Sequence, residues 1–183
     1  MPPPIQISPP GGHAAPTFAQ PFEMLEACHQ RLGRTLALLA KLRAHLPSHG
    51  ADEQARQAAR DVMRYFDKAA PQHHHDEELH VFPPLVAQGH AETVALIERL
   101  RQDHVRMEAR WPAARQVLAA VADGTLAVLS ATDDAALEAF AGLYAAHIEA
   151  EEGIAYPAAL RLLDAASITA MGQEMELRRR SMG

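Results

Sequence analysis

Thiols are nearly absent: the 183 residues contain one cysteine, Cys28. A lone thiol cannot close an intramolecular disulfide, so a disulfide scaffold is excluded, a reducing compartment is expected, and any metal site must use nitrogen and oxygen donors. Net positive charge is absent too. Seventeen Lys and Arg face 23 Asp and Glu, a formal net charge of −6, which leaves no basic stripe for phosphates and makes nucleic acid an unexpected partner. The concentrated positive run, Arg178, Arg179 and Arg180, reads as a solvated tail or a last helical turn. No apolar run approaches the ~20 residues that span a bilayer, and MPPPIQISPPGG has neither the positive nor the apolar region of a signal peptide. The expectation is a soluble, cytoplasmic protein with no membrane partner. Strand-like alternation is missing as well.

What is present is helical. Seven of the thirteen prolines fall within the first 21 residues, beside Gly11-Gly12, so residues 1–20 read as a Pro-rich tail, either disordered or laid over the body. From Phe22 the apolar residues Leu25, Leu32, Leu36, Leu39 and Leu42 recur at helical intervals until Pro47–Gly50 stops them. Asp52 is the expected N-cap of a second helix, which must accommodate Pro71, Pro83 and Pro84 by bending or ending. A turn at Gly89 leads to a third helix over about 91–122, with Leu96, Leu100, Val105 or Met107, Trp111 and Leu118 facing inward and a kink at Pro112. The Ser130–Asp134 cluster caps a fourth, running through Tyr156. The reading is an all-α, up-down-up-down antiparallel four-helix bundle over residues 21–164, with a short helix or tail over 165–183.

Two segments 74 residues apart match. His73-His74-His75-Asp76-Glu77-Glu78-Leu79-His80-Val81-Phe82-Pro83 and His147-Ile148-Glu149-Ala150-Glu151-Glu152-Gly153-Ile154-Ala155-Tyr156-Pro157 both read His-x-x-x-Glu-Glu followed by an aromatic-Pro pair. A helical histidine precedes each, His29 and His104. The chain thus reads as two copies of a helical hairpin. Within each copy the i, i+4 spacing places imidazole and carboxylate on one face, one turn apart. At ~1.5 Å per residue the four histidines fall at nearly one level of an antiparallel bundle, where they can converge on its axis.

Four imidazoles and two or three carboxylates suit six-coordinate iron or manganese better than a closed tetrahedral zinc site. Two such ions offer twelve positions. The histidines fill four, bridging Glu77 and Glu151 fill four, and an assumed oxo or hydroxo bridge fills two. Glu108, four residues after His104, takes one of the remaining two and leaves one open for dioxygen, peroxide or nitric oxide. His74 with Glu78 repeats the same pattern shifted by one; counting back from the proline selects His73 and Glu77. A ferritin-like site would instead use Glu26 with His29 and Glu77 with His80, which leaves the third and fourth helices without their share. Tyr144, Glu78 and Glu152 are candidates for outer hydrogen bonds to the ligands. His13, His45, His49, His75, His80 and His90 read as surface residues, Cys28 as a small apolar one, and Met24, Met63 and Met107 as core.

At these residues the chain resembles the hemerythrin-like, or HHE cation-binding, family, over roughly residues 22–160. The resemblance implies a four-helix bundle with a non-haem di-iron centre: His29 and His73 on one iron, His104 and His147 on the other, Glu77 and Glu151 bridging. Manganese or zinc are possible substitutes. Oxygen-carrying hemerythrins have His-x-x-x-His on the third helix, where this chain has His104 and Glu108, and end on an aspartate one residue beyond the position of Glu151. The pattern is similar to the bacterial branch. It implies a small diatomic or peroxide ligand, bound for sensing, storage or redox chemistry rather than simple carriage, or consumed by a di-iron oxidoreductase acting on peroxide or nitric oxide or supporting iron-centre repair.

Overall fold

The computed structural model describes residues 16–181; the Pro-rich tail through residue 15, His13 included, lies outside the described residues. Helix α1 runs Pro21–His49. The second arm is a chain of short segments: α2 Glu53–Arg64, a π-helical turn Tyr65–Ala69, α3 Ala70–Asp76, a second π turn Glu77–Val81, and α4 Phe82–Ala87. Helix α5 spans Ala91–Ala122 and continues through Pro112. The fourth arm comprises α6 Ala131–Ala141, α7 Ala145–Ala150, a third π turn Glu151–Ala155 and α8 Tyr156–Leu162; α9, Ala165–Ser181, follows. The four arms pack as an antiparallel bundle, and no strand occurs among the described residues.

Local chemistry places the ends. Asp52 accepts the Ala55 N–H at 2.9 Å, as an N-cap should, and Ser130 with Asp133 forms a reciprocal capping box. Pro47 does not stop α1. The helix extends to His49, and Gly50, at φ 64°, ends it by donating its N–H to the Leu46 carbonyl. The fourth arm is not one helix either. At Gly142–Tyr144 the bonds tighten to i−3, from Leu143 N–H to Phe140 and from Tyr144 N–H to Ala141, where glycine is a poor helix former.

Each π turn is followed two residues later by a proline: Pro71, Pro83 and Pro157. Proline lacks the N–H for an i−4 bond and its ring crowds that carbonyl, which here belongs to Asp67, Leu79 or Gly153, inside the preceding π turn. The ladder widens by one residue instead of breaking. Two of these turns begin at Glu77 and Glu151, so the aromatic-Pro pair of the repeat shapes the helix where its chemistry sits.

The apolar core is in two parts. One gathers Leu32, Leu39, Val62, Phe66, Met107, Leu118 and Phe140; the other gathers Leu25, Phe82, Leu85, Ile97, Leu100 and Tyr156 with Met171 and Met175 of α9. Met107, not Val105, takes the inward position on α5, and Val105 is exposed. His29, between Leu25 and Leu32, and His104, between Leu100 and Met107, fall where one cluster gives way to the other, as do His73 and His147 on their arms. A polar layer therefore separates two apolar ones.

Helix α9 carries the three terminal arginines in its last turn, with Arg180 exposed, but Arg178 and Arg179 are not the solvated residues the alternative reading made them. Arg178 bonds Asp76 at 2.6 Å, Arg179 bonds it through both of its terminal nitrogens, and Asp76 is fully buried. His80 reaches Glu174 at 2.7 Å, and Gly172 lets the Phe18 carbonyl approach so closely that an added Cβ would clash with it. Asp76→Ala takes the carboxylate from half-buried Arg179 and leaves Arg178 with Glu174, and is expected to cost about 2 kcal/mol in chemical denaturation of the metal-free protein.

Candidate metal centre

Seven polar residues are buried among the described residues: His29, His73, Asp76, Glu77, His104, His147 and Glu151. Asp76 belongs to the arginine pair, and the other six converge. Their ligand atoms form two groups, His29, His73, Glu77 and Glu151, and Glu77, His104, His147 and Glu151, within each of which all atoms lie within 4.8 Å of one another. Both carboxylates belong to both groups.

The carboxylates are turned to match. Glu77 Oε1 is 3.3 Å from His73 Nε2 and 3.8 Å from His29 Nε2, while its Oε2 is 3.4 Å from His104 Nε2. Glu151 Oε2 is 3.2 Å from His29 Nε2, and its Oε1 is 3.1 Å from His147 Nε2 and 3.8 Å from His104 Nε2. Each carboxylate thus gives one oxygen to each pair of histidines. His104 Nε2 and His147 Nε2 stand 3.1 Å apart. His73 and Glu77 stand in this cluster; of the shifted pair, His74 lies beside it, stacked on His104 at 4.1 Å.

The outer faces of the imidazoles repeat the symmetry. Glu152 Oε1 meets His29 Nδ1 at 2.9 Å, and Glu78 Oε1 meets His104 Nδ1 at 2.9 Å. The second glutamate of each copy therefore orients the histidine of a neighbouring arm and leaves its Nε2 facing inward. Asp103 Oδ2 stands 3.5 Å from His147 Nδ1, near enough for an ion pair but without a hydrogen bond; its only signal in the sequence was adjacency to His104. Tyr144 has no such role. Its ring packs against Phe66 and Phe140 at 5.6 and 5.4 Å.

Glu108 is outside the cluster. Helix α5 stays regular through this stretch, Met107 takes the inward face, and Glu108 turns to solvent. It lines the rim of a cavity of about 450 Å³, floored by Phe66, Met107, Trp111 and Phe140 and reaching His74, Glu78 and His104. The residue that does enter the cluster is Tyr156. Its hydroxyl donates to Glu77 Oε1 and lies 3.3 Å from His29 Nε2. The sequence showed it only as half of an aromatic-Pro pair.

The donor set fits a cation. Glu77 Oε2 and both oxygens of Glu151 are buried without a hydrogen bond of proper geometry, a costly state for carboxylate acceptors. Protons stand in where a cation would. Burial opposes charge on His29, but the bond to Glu151 and the charges of Glu77 and Glu151 outweigh it and raise its pKa. On His104 burial is likewise outweighed by Glu151, Glu77 and Glu78, which push it up to about 10. Burial would raise Glu151, yet His104, His147 and His29 hold it well below the usual carboxylate range. Burial lowers His73 and His74.

Comparison with known proteins agrees with this geometry. The Hemerythrin HHE cation binding domain family matches residues 20–159. A relative from Haemophilus influenzae, described only as an uncharacterized protein, is 32% identical over 163 residues, covering 89% of this chain and 92% of its own. No helix among the described residues is long and apolar enough to cross a membrane. The buried His/Glu cluster lies wholly inside the matched region, and the chain belongs to the hemerythrin HHE cation-binding family.

Proposed function

We propose that the protein holds two iron ions, one between His29 and His73 and one between His104 and His147, bridged by Glu77 and Glu151, and that it binds dioxygen, nitric oxide or peroxide for sensing, storage or redox chemistry. The carrying observation is the pair of buried carboxylates, each directing one oxygen to either histidine pair. An all-nitrogen-and-oxygen set of this size favours iron or manganese. Bound iron would supply a redox couple and an exchangeable coordination position. The chain itself excludes water with the two apolar layers, fixes the His104 and His29 imidazoles through Glu78 and Glu152, and admits small molecules along the cavity at His104. The second reading is an enzyme that consumes peroxide or nitric oxide or supports iron-centre repair, its substrate reaching the centre along the same cavity.

Anaerobic titration with ferrous ion, followed by oxygen or nitric oxide, tests this. Reversible spectral changes under gas cycling support binding, sustained consumption supports the enzyme, and an unreactive loaded site contradicts both. The same titration has a pH signature. Metal requires neutral imidazoles, and His104, with its pKa pushed up to about 10, carries a proton at neutral pH. Binding should release protons, and apparent affinity should fall roughly tenfold for each proton displaced per unit drop in pH below that value. Calorimetry in buffers of different ionisation enthalpy reads the release directly.

A further inference from the structure

The two copies of the repeat are symmetric in the six donors assigned so far, and among the positions at which they differ is one whose ring lies over the donors in both. Phe82 and Tyr156 occupy equivalent places, five residues after Glu77 and Glu151, and each donates its backbone N–H to that glutamate's carbonyl across the π turn. The widened turn brings both rings over the cluster. Tyr156 stacks on His29 at 5.5 Å and 9°, and Phe82 on His104 at 5.7 Å and 23°. Only one of them carries an oxygen.

That oxygen lies among donor atoms. It is 3.3 Å from His29 Nε2 and hydrogen-bonded to Glu77 Oε1, the carboxylate oxygen that faces His29 and His73. Neighbouring donors on one six-coordinate ion lie roughly 3 Å apart, as bonds of ~2.1 Å at right angles require. Tyr156 is buried, so water does not compete for the place. The coordination count leaves room for it: two positions remain beyond four imidazoles, two bridging carboxylates and an assumed oxo or hydroxo bridge, and Glu108 is turned to solvent.

We propose that Tyr156 is a protein ligand of the ion held by His29 and His73, and that the exchangeable position therefore belongs to the ion held by His104 and His147, where the repeat places Phe82. This rests on the di-iron reading above. Coordination forms a metal–oxygen bond and breaks the phenol O–H, the proton leaving to solvent; no electron moves. Access agrees, because the cavity reaches His104 while His29 and Tyr156 do not line it.

The test uses the full chain loaded anaerobically with ferrous iron and then oxidised, with inorganic azide as the probe. Wild type should show a visible phenolate-to-ferric charge-transfer band with resonance-enhanced phenolate ring modes and bind one azide per chain. Tyr156→Phe keeps the ring and its stacking; it should retain its iron, lose the band and gain a second azide. Phe82→Tyr should add a second phenolate and lose azide binding. A loaded wild type without the band, a band that survives in Tyr156→Phe, or azide binding unchanged in Phe82→Tyr overturns the proposal while leaving the metal centre intact. Failure of wild type to hold iron overturns the di-iron reading and this proposal with it.

Discussion

Glu151→Ala is expected to lose both ions, whereas His147→Ala loses one. The asymmetry follows from membership: Glu151, like Glu77, belongs to both donor groups, and each histidine belongs to one. Removing a shared carboxylate takes one oxygen from each ion and leaves four imidazoles around a cavity with half its negative charge. Bound metal should therefore fall to near zero, by elemental analysis after gel filtration. The metal-free variant should stay folded, because removing a buried carboxylate also removes a desolvation cost that only imidazolium protons offset. Circular dichroism separates the two effects. Glu151→Gln, of nearly the same volume, should also stay folded and should bind metal far more weakly, since an amide supplies one neutral oxygen.

Loading should also stabilise the fold substantially. The six inward-facing residues come from all four arms of the bundle, so a cation held by them crosslinks elements distant in sequence and binds the native state alone. At a thousandfold excess of free metal over Kd the gain is about 4 kcal/mol, which for a chain of this size raises Tm by roughly 8–16 °C. The gain should shrink as pH falls, because protons compete for the same imidazoles. Calorimetric scans of loaded and chelator-treated protein at two pH values measure both. A loaded protein no more stable than the stripped one would place the metal at the surface rather than between the arms.

The centre was largely legible because both copies keep the same side-chain types at the same distance from a proline, and because helical rise alone brings His29, His73, His104 and His147 to one level. Glu78 and Glu152 were legible as a repeated pair, though not which imidazole each would meet, since those contacts cross between arms. Glu108 was misplaced because i, i+4 spacing fixes a shared face only loosely: α5 remains regular and presents Met107 inward instead. Tyr156 went unweighed for the complementary reason. It reaches the cluster through a π turn, and propensity carries no signal for i−5 bonding until the trailing proline is read as its cause. The arginines at 178 and 179 looked like a tail because their partner, Asp76, is about a hundred residues away and buried.

Iron content per chain after anaerobic reconstitution tests the central claim most directly. The account predicts about two irons in wild type, one for each donor group, and about one in His147→Ala. A single iron in wild type, or loading unchanged in His147→Ala, would contradict it.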